Sequence, residues 1–98
     1  MRPLKNGRYE VVFLYPAPPK TKAVYLAGEF NGWKPAAHKM DGPDPQGMFT
    51  THLELAAGRH EYKYVLEGKR WRPDPGNPRQ VGYFNNSVLV VVDEGKKH

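Results

Sequence analysis

"RHEYKYVLEG", residues 59–68, decides the fold class. His60, Tyr62, Tyr64 and Leu66 alternate with Glu61, Lys63, Val65 and Glu67. Successive side chains of a strand point to opposite faces, so a period of two marks a strand with one mainly apolar face and one mainly charged face. Gly68 ends the run, and "EGKR" at 67–70 reads as the turn of a hairpin.

The same period recurs on both sides. In "YEVVFLY", 9–15, Tyr9, Val11, Phe13 and Tyr15 alternate with Glu10, Val12 and Leu14. "KAVYLAG", 22–28, sets Val24 and Leu26 against Tyr25. "MFTTHLEL", 48–55, sets Phe49, Thr51, Leu53 and Leu55 against Thr50, His52 and Glu54. "SVLVVVD", 87–93, is rich in β-branched residues. Between the runs lies turn chemistry. "YPAPPK" cannot be strand interior, because prolines remove ladder donors. "AAGRH" turns at Gly58, and "GPDPQG" and "RPDPGNP" share a Pro-Asp-Pro turn without matching flanks. With 10 glycines, 10 prolines and no helical stripe, the chain reads as all-β. Short strands at this spacing predict an antiparallel sandwich.

"AGEFNGW", 27–33, places Trp33 directly after an Asn31-Gly32 turn. Two readings stand at this point: the indole folds back to cap the core, or its flat face is a platform for a ligand. Trp71 follows the "EGKR" turn among Lys69, Arg70 and Arg72, in a stretch that reads as solvated.

A length of 98 residues predicts a single domain, with a core over about 9–93 and a frayed tail at 94–98. There is no cysteine, which excludes disulfides and thiolate metal sites and suits a reducing cytoplasm. No apolar run approaches the ~20 residues that a membrane helix needs. The net charge of +5 admits a polyanion as partner, but the basic residues are scattered. A single-strand nucleic-acid reading therefore has its aromatic rings but lacks a continuous basic stripe.

Signals for catalysis are weak. No phosphate loop or nucleophile elbow is present. His38, His52, His60 and His98 lack metal-ligand spacing, although His52 and His60 could be neighbours across a hairpin. Asp41, Asp44 and Asp74 lie in Pro/Gly loops, where Asp ordinarily bonds its own backbone. The expectation is a non-enzyme with no metal and no cofactor. Two indoles, with Lys63 and Asn85 as polar neighbours, suit a neutral polyhydroxylated ligand: sugar C–H groups lie on the ring face and hydroxyls bond at the rim.

"VYLAGEFNGW", "GMFTTHLELAAGRHEYKYVLEGKRWRPDP" and "QVGYFNNSVLVV", in this order and spacing, resemble a glycogen-binding module. The type is that of the AMP-activated kinase β subunit and of isoamylase and branching-enzyme N-terminal modules. The likeness runs from about Tyr9 to Val92. It implies an immunoglobulin-like, early-set β-sandwich of about seven strands. It also implies that the sugar is held by Trp33, Lys63, Trp71, Val81, Tyr83 and Asn85. The carry-over matches in residue type at Trp33, Lys63, Trp71 and Asn85 and departs from the pattern at Val81 and Tyr83, where the kinase subunit has leucine and threonine. The "EGKR" turn is one residue longer than in the kinase subunit. The implied function is non-catalytic binding of α-1,4-linked glucan (glycogen, maltooligosaccharide or cyclodextrin), tethering a glucan-metabolising enzyme or kinase. The rival is a protein-docking module of the same fold without sugar affinity. Under the resemblance, Phe30 anchors the turn inward and Trp33 faces a sugar.

Overall fold

The computed structural model describes residues 2–4, 6–82 and 86–91. Among them lie eight strands: β1 (Arg2–Pro3), β2 (Tyr9–Pro16), β3 (Val24–Gly28), β4 (Met48–Leu55), β5 (Gly58–Leu66), β6 (Arg70–Arg72), β7 (Gln80–Val81) and β8 (Asn86–Val91). The one helical element among the described residues is a 3-10 turn, Glu29–Asn31. The five runs of alternating or β-branched residues are the five longest strands. The short β1, β6 and β7 raise the count above the expected seven. The expected fraying at 94–98 lies outside the described residues.

The strands form an antiparallel, immunoglobulin-like sandwich. One sheet is ordered β1-β2-β4 and the other β3-β5-β8-β7. β5 is the spine of the second sheet. It pairs with β3 along one edge, and along the other with β8 at residues 58–62 and then β6 at 64–66. β4 and β5 follow one another in sequence but belong to different sheets, so the Gly58 turn crosses between layers instead of closing a hairpin. His52 and His60 are therefore not cross-strand neighbours. His52 Nε2 lies 4.0 Å from Glu10 Oε2, and His60 Nε2 lies 2.8 Å from the Ala56 carbonyl. The physical reason is that each strand must turn its apolar face to the same core from opposite sides.

That core follows the alternation. Tyr9, Val11, Phe13 and Tyr15 of β2 face inward, as do Tyr62, Tyr64 and Leu66 of β5. Aromatic pairs tie the layers together: Phe13 meets Tyr62 edge-on at 5.2 Å, and Tyr15 meets Tyr64 at 4.8 Å. Such pairs add about 0.5–1.5 kcal/mol each beyond the area they bury.

Two buried phenols end in polar company. The Tyr62 and Tyr64 hydroxyls donate to Asp74 Oδ2 at 2.6 and 3.4 Å. Asp74 Oδ1 accepts the Gly76 N–H, and the Asp74 N–H donates to Ser87 Oγ, a side chain with no exposed surface. Asn77 Nδ2 donates to Tyr62 Oη and to the Val88 carbonyl. Burial, and next to it the nearby Asp74 for Tyr64, pushes these phenols well above the usual tyrosine range, so both remain neutral donors. The network clamps the loop after β6 onto β5 and β8. Asp74 and Asp44 do bond their own turns, as their Pro-Asp-Pro settings suggest: Asp44 Oδ1 accepts from the N–H groups of Gln46 and Met48. For Asp74, the tertiary role is the larger one.

Candidate functional site

The outer face of the second sheet carries the site. Tyr62, Tyr64 and Leu66 point inward, so Lys63 and Val65 between them point outward. The register aligns Tyr25 on β3, Val65 on β5 and Trp71 on β6 as a row across three strands. Val65 lies between two aromatic neighbours and has no exposed surface, although it faces away from the core. Trp71 is 37% exposed. One part of the ring thus covers the sheet and the other is open to a ligand.

Trp33 reaches the same face from the β3 end. Phe30 packs on the core, its ring 6.3 Å from that of Phe13. Asn31 staples the turn to β3, with Oδ1 accepting the Gly28 N–H at 3.1 Å and Nδ2 donating to the Leu26 carbonyl at 2.9 Å. The chain then passes through two left-handed residues, Gly32 at φ 67° and Trp33 at φ 62°. Glycine takes this conformation freely; tryptophan does not, and such strain concentrates at sites that need a fixed geometry. The Trp33 N–H closes the turn on the Gly28 carbonyl at 2.9 Å.

Gly28 is required by close approach. A Cβ there would lie 2.6 Å from the Glu61 carbonyl oxygen and 2.7 Å from the Phe30 ring. Gly28→Ala is expected to destabilise the fold by about 1–3 kcal/mol, the range for overpacking. Chemical denaturation checks this, and tryptophan fluorescence should report a displaced Trp33 in the folded variant.

These segments enclose a cleft of about 560 Å³ lined, among the described residues, by Trp33, Lys63, Trp71 and Asn86. Three of the six residues indicated by the sequence thus come together from the turn after the 3-10 element, β5 and β6. Val81 does not line the cleft; it sits on β7, paired with Asn86. Tyr83 and Asn85 lie outside the described residues. Asn86 is the residue that sequence reasoning missed. Its signal was the alternation of the last strand: Ser87, Leu89 and Val91 turn toward the core, so Asn86 turns outward.

A second groove of about 510 Å³ runs between β2 and the loop after β6, lined in part by Val12, Leu14 and Arg79. Volume does not separate the two; chemistry does. Only the first pairs two indole faces with an amine and an amide. The cations around Trp71 mostly turn elsewhere. Arg70 and Arg72 alternate with Trp71 along β6 and so turn away from the cleft.

Fold and cleft together define a small antiparallel β-sandwich module with paired tryptophans on the outer face of one sheet. The family described as the glycogen recognition site of AMP-activated protein kinase matches residues 9–96, and the chain belongs to that family. It is 38% identical over 72 residues to the β-1 subunit of the 5'-AMP-activated protein kinase of Rattus norvegicus, covering 70% of this chain and 25% of that subunit. It is 33% identical over 75 residues to the chloroplastic PTST homolog 2 of Arabidopsis thaliana, covering 74% of this chain and 14% of that protein. The chain thus spans a quarter or less of these two relatives' length. A crystal structure of a maltogenic amylase from S. marinus superposes with a TM-score of 0.74 at 24% identity, over 92% of this chain and 14% of that one, a likeness of fold. No helix among the described residues is long and apolar enough to cross a membrane.

Proposed function

We propose that the cleft binds α-1,4-linked glucan without catalysis and thereby tethers a parent or partner protein to glycogen or a starch-like polymer in the cytoplasm. The observation that carries this reading is the convergence of Trp33, Lys63 and Trp71 on one cleft from three separate elements. The indoles supply C–H-binding faces, and Lys63 supplies donors for ring hydroxyls. Indoles on a turn and on a strand suit a curved chain, and α-1,4-linked glucose curves. Maltooligosaccharides and cyclodextrin are the short ligands of choice. The relatives support the same reading: a kinase subunit and a chloroplastic protein carry the matching segment within longer chains.

A neutral glucan releases no counterions, so affinity should change less than about twofold between low and high salt, whereas a polyanion contact weakens steeply. Titrating glycogen at both salt concentrations checks this. A tenfold fall would point to a polyanion. Absence of retention on a glycogen affinity gel would favour the docking module without sugar affinity.

A further inference from the structure

We propose that Asn86 is an additional glucan-binding residue and that Glu61 positions its amide; the proposal rests on the glucan reading of the cleft. Asn86 lines the cleft beside the two tryptophans. Its Nδ2 donates to Glu61 Oε1 at 3.2 Å. The other carboxylate oxygen, Oε2, lies 3.6 Å from Arg59 Nη2. The β5–β8 register makes this contact natural. Glu61 pairs with Val88, and Asn86 is the next residue on the same face of β8. Glu61 is also fixed through its backbone, whose N–H donates to Glu29 Oε1 at 3.3 Å, in the turn that leads to Trp33.

An ionised carboxylate only accepts hydrogen bonds, so it selects the NH₂ end of the amide and repels the carbonyl end. The Asn86 amide therefore cannot flip without setting Oδ1 against Glu61. Its Oδ1 and second N–H are left with a fixed direction. A sugar hydroxyl is donor and acceptor at once and can use both. Lys63 has donors but no acceptor, so Asn86 adds what the lysine lacks: an oriented acceptor for a hydroxyl proton. Arg59 restrains the carboxylate from its far side and completes a relay, Arg59–Glu61–Asn86, from β5 to the cleft. Ordering the amide before the ligand arrives reduces what is lost on binding.

The test is maltoheptaose affinity by calorimetry for wild type, Asn86→Ala, Glu61→Ala, the double variant and Glu61→Gln, with a thermal melt of each. Asn86→Ala and Glu61→Ala are each expected to weaken binding about fivefold, the scale of one hydrogen bond. The double variant should be no weaker than Asn86→Ala alone, because Glu61 acts through Asn86. Glu61→Gln, whose amide can donate to Oδ1 as well as accept from Nδ2, no longer selects one orientation of Asn86 and should fall between Glu61→Ala and wild type. In the HSQC spectrum the Asn86 side-chain amide pair should shift on adding maltoheptaose. Additive losses, or a Glu61→Ala variant that binds like wild type, would overturn the positioning role. An unshifted Asn86 amide would overturn the contact. Failure of wild type to bind maltoheptaose at all would instead overturn the glucan reading.

Discussion

Asp74→Ala is expected to lower stability by about 2–4 kcal/mol, because it strands two buried donors at once. Tyr62 and Tyr64 are 3% and 0% exposed, and their hydroxyls both donate to Asp74 Oδ2. A buried hydroxyl without an acceptor costs about 1–3 kcal/mol. Removing both partners is milder than removing one. Tyr62→Phe in the Asp74→Ala background should therefore cost less than the sum of the two single changes. Asp74→Asn keeps a neutral acceptor and should fall between the variant and wild type. Urea unfolding of wild type and the four variants decides the matter, and an Asp74→Ala midpoint equal to that of wild type would refute the network's role. The loop clamped by Asp74 follows Trp71 directly, so a loosened loop should also weaken glucan binding in the folded variant.

The second large effect is on affinity. Trp33→Ala and Trp71→Ala should each weaken glucan binding by about 1–3 kcal/mol, taking base–aromatic stacking as the scale. At about 1.4 kcal/mol per tenfold, the double variant should lose at least about thirtyfold. The stability effects should differ from the ~3–5 kcal/mol of a core tryptophan truncation. Trp33 is half-buried on a surface turn, and Trp71 is 37% exposed. Trp71→Ala should still cost something, because Val65 beneath the aromatic row becomes exposed. Thermal melts beside calorimetry separate the two losses. A collapsed fold in either single variant would assign that indole to the core.

The long strands were legible because alternation over eight or nine residues, as in β2 and β5, has no helical equivalent. β1, β6 and β7 were not, since two or three residues cannot display a period. The passage from one sheet to the other at Gly58 was hidden for a different reason. A turn that closes a hairpin and a turn that crosses between layers use the same residue types, and only the pairing of β4 with β2 tells them apart. Asn31-Gly32 as the bend followed from turn chemistry, and Phe30 as the inward anchor from the resemblance. The left-handed Trp33 did not, because nothing local announces a strained tryptophan. In the cleft, the two indoles and Lys63 were named from motifs. Asn86 escaped because the resemblance pointed one residue earlier, while its outward face is set by β8 alternation. The Asp74 network was beyond sequence reasoning, since its phenols lie 10 and 12 residues away.

The most direct test is an HSQC titration of the labelled protein with maltoheptaose. Shifts are expected at the Trp33 and Trp71 indole N–H signals and at the Lys63 amide, with Val12 and Leu14 on the opposite sheet unmoved. Absence of shifts at millimolar sugar, or shifts confined to the β2 face, would contradict the glucan reading of the cleft.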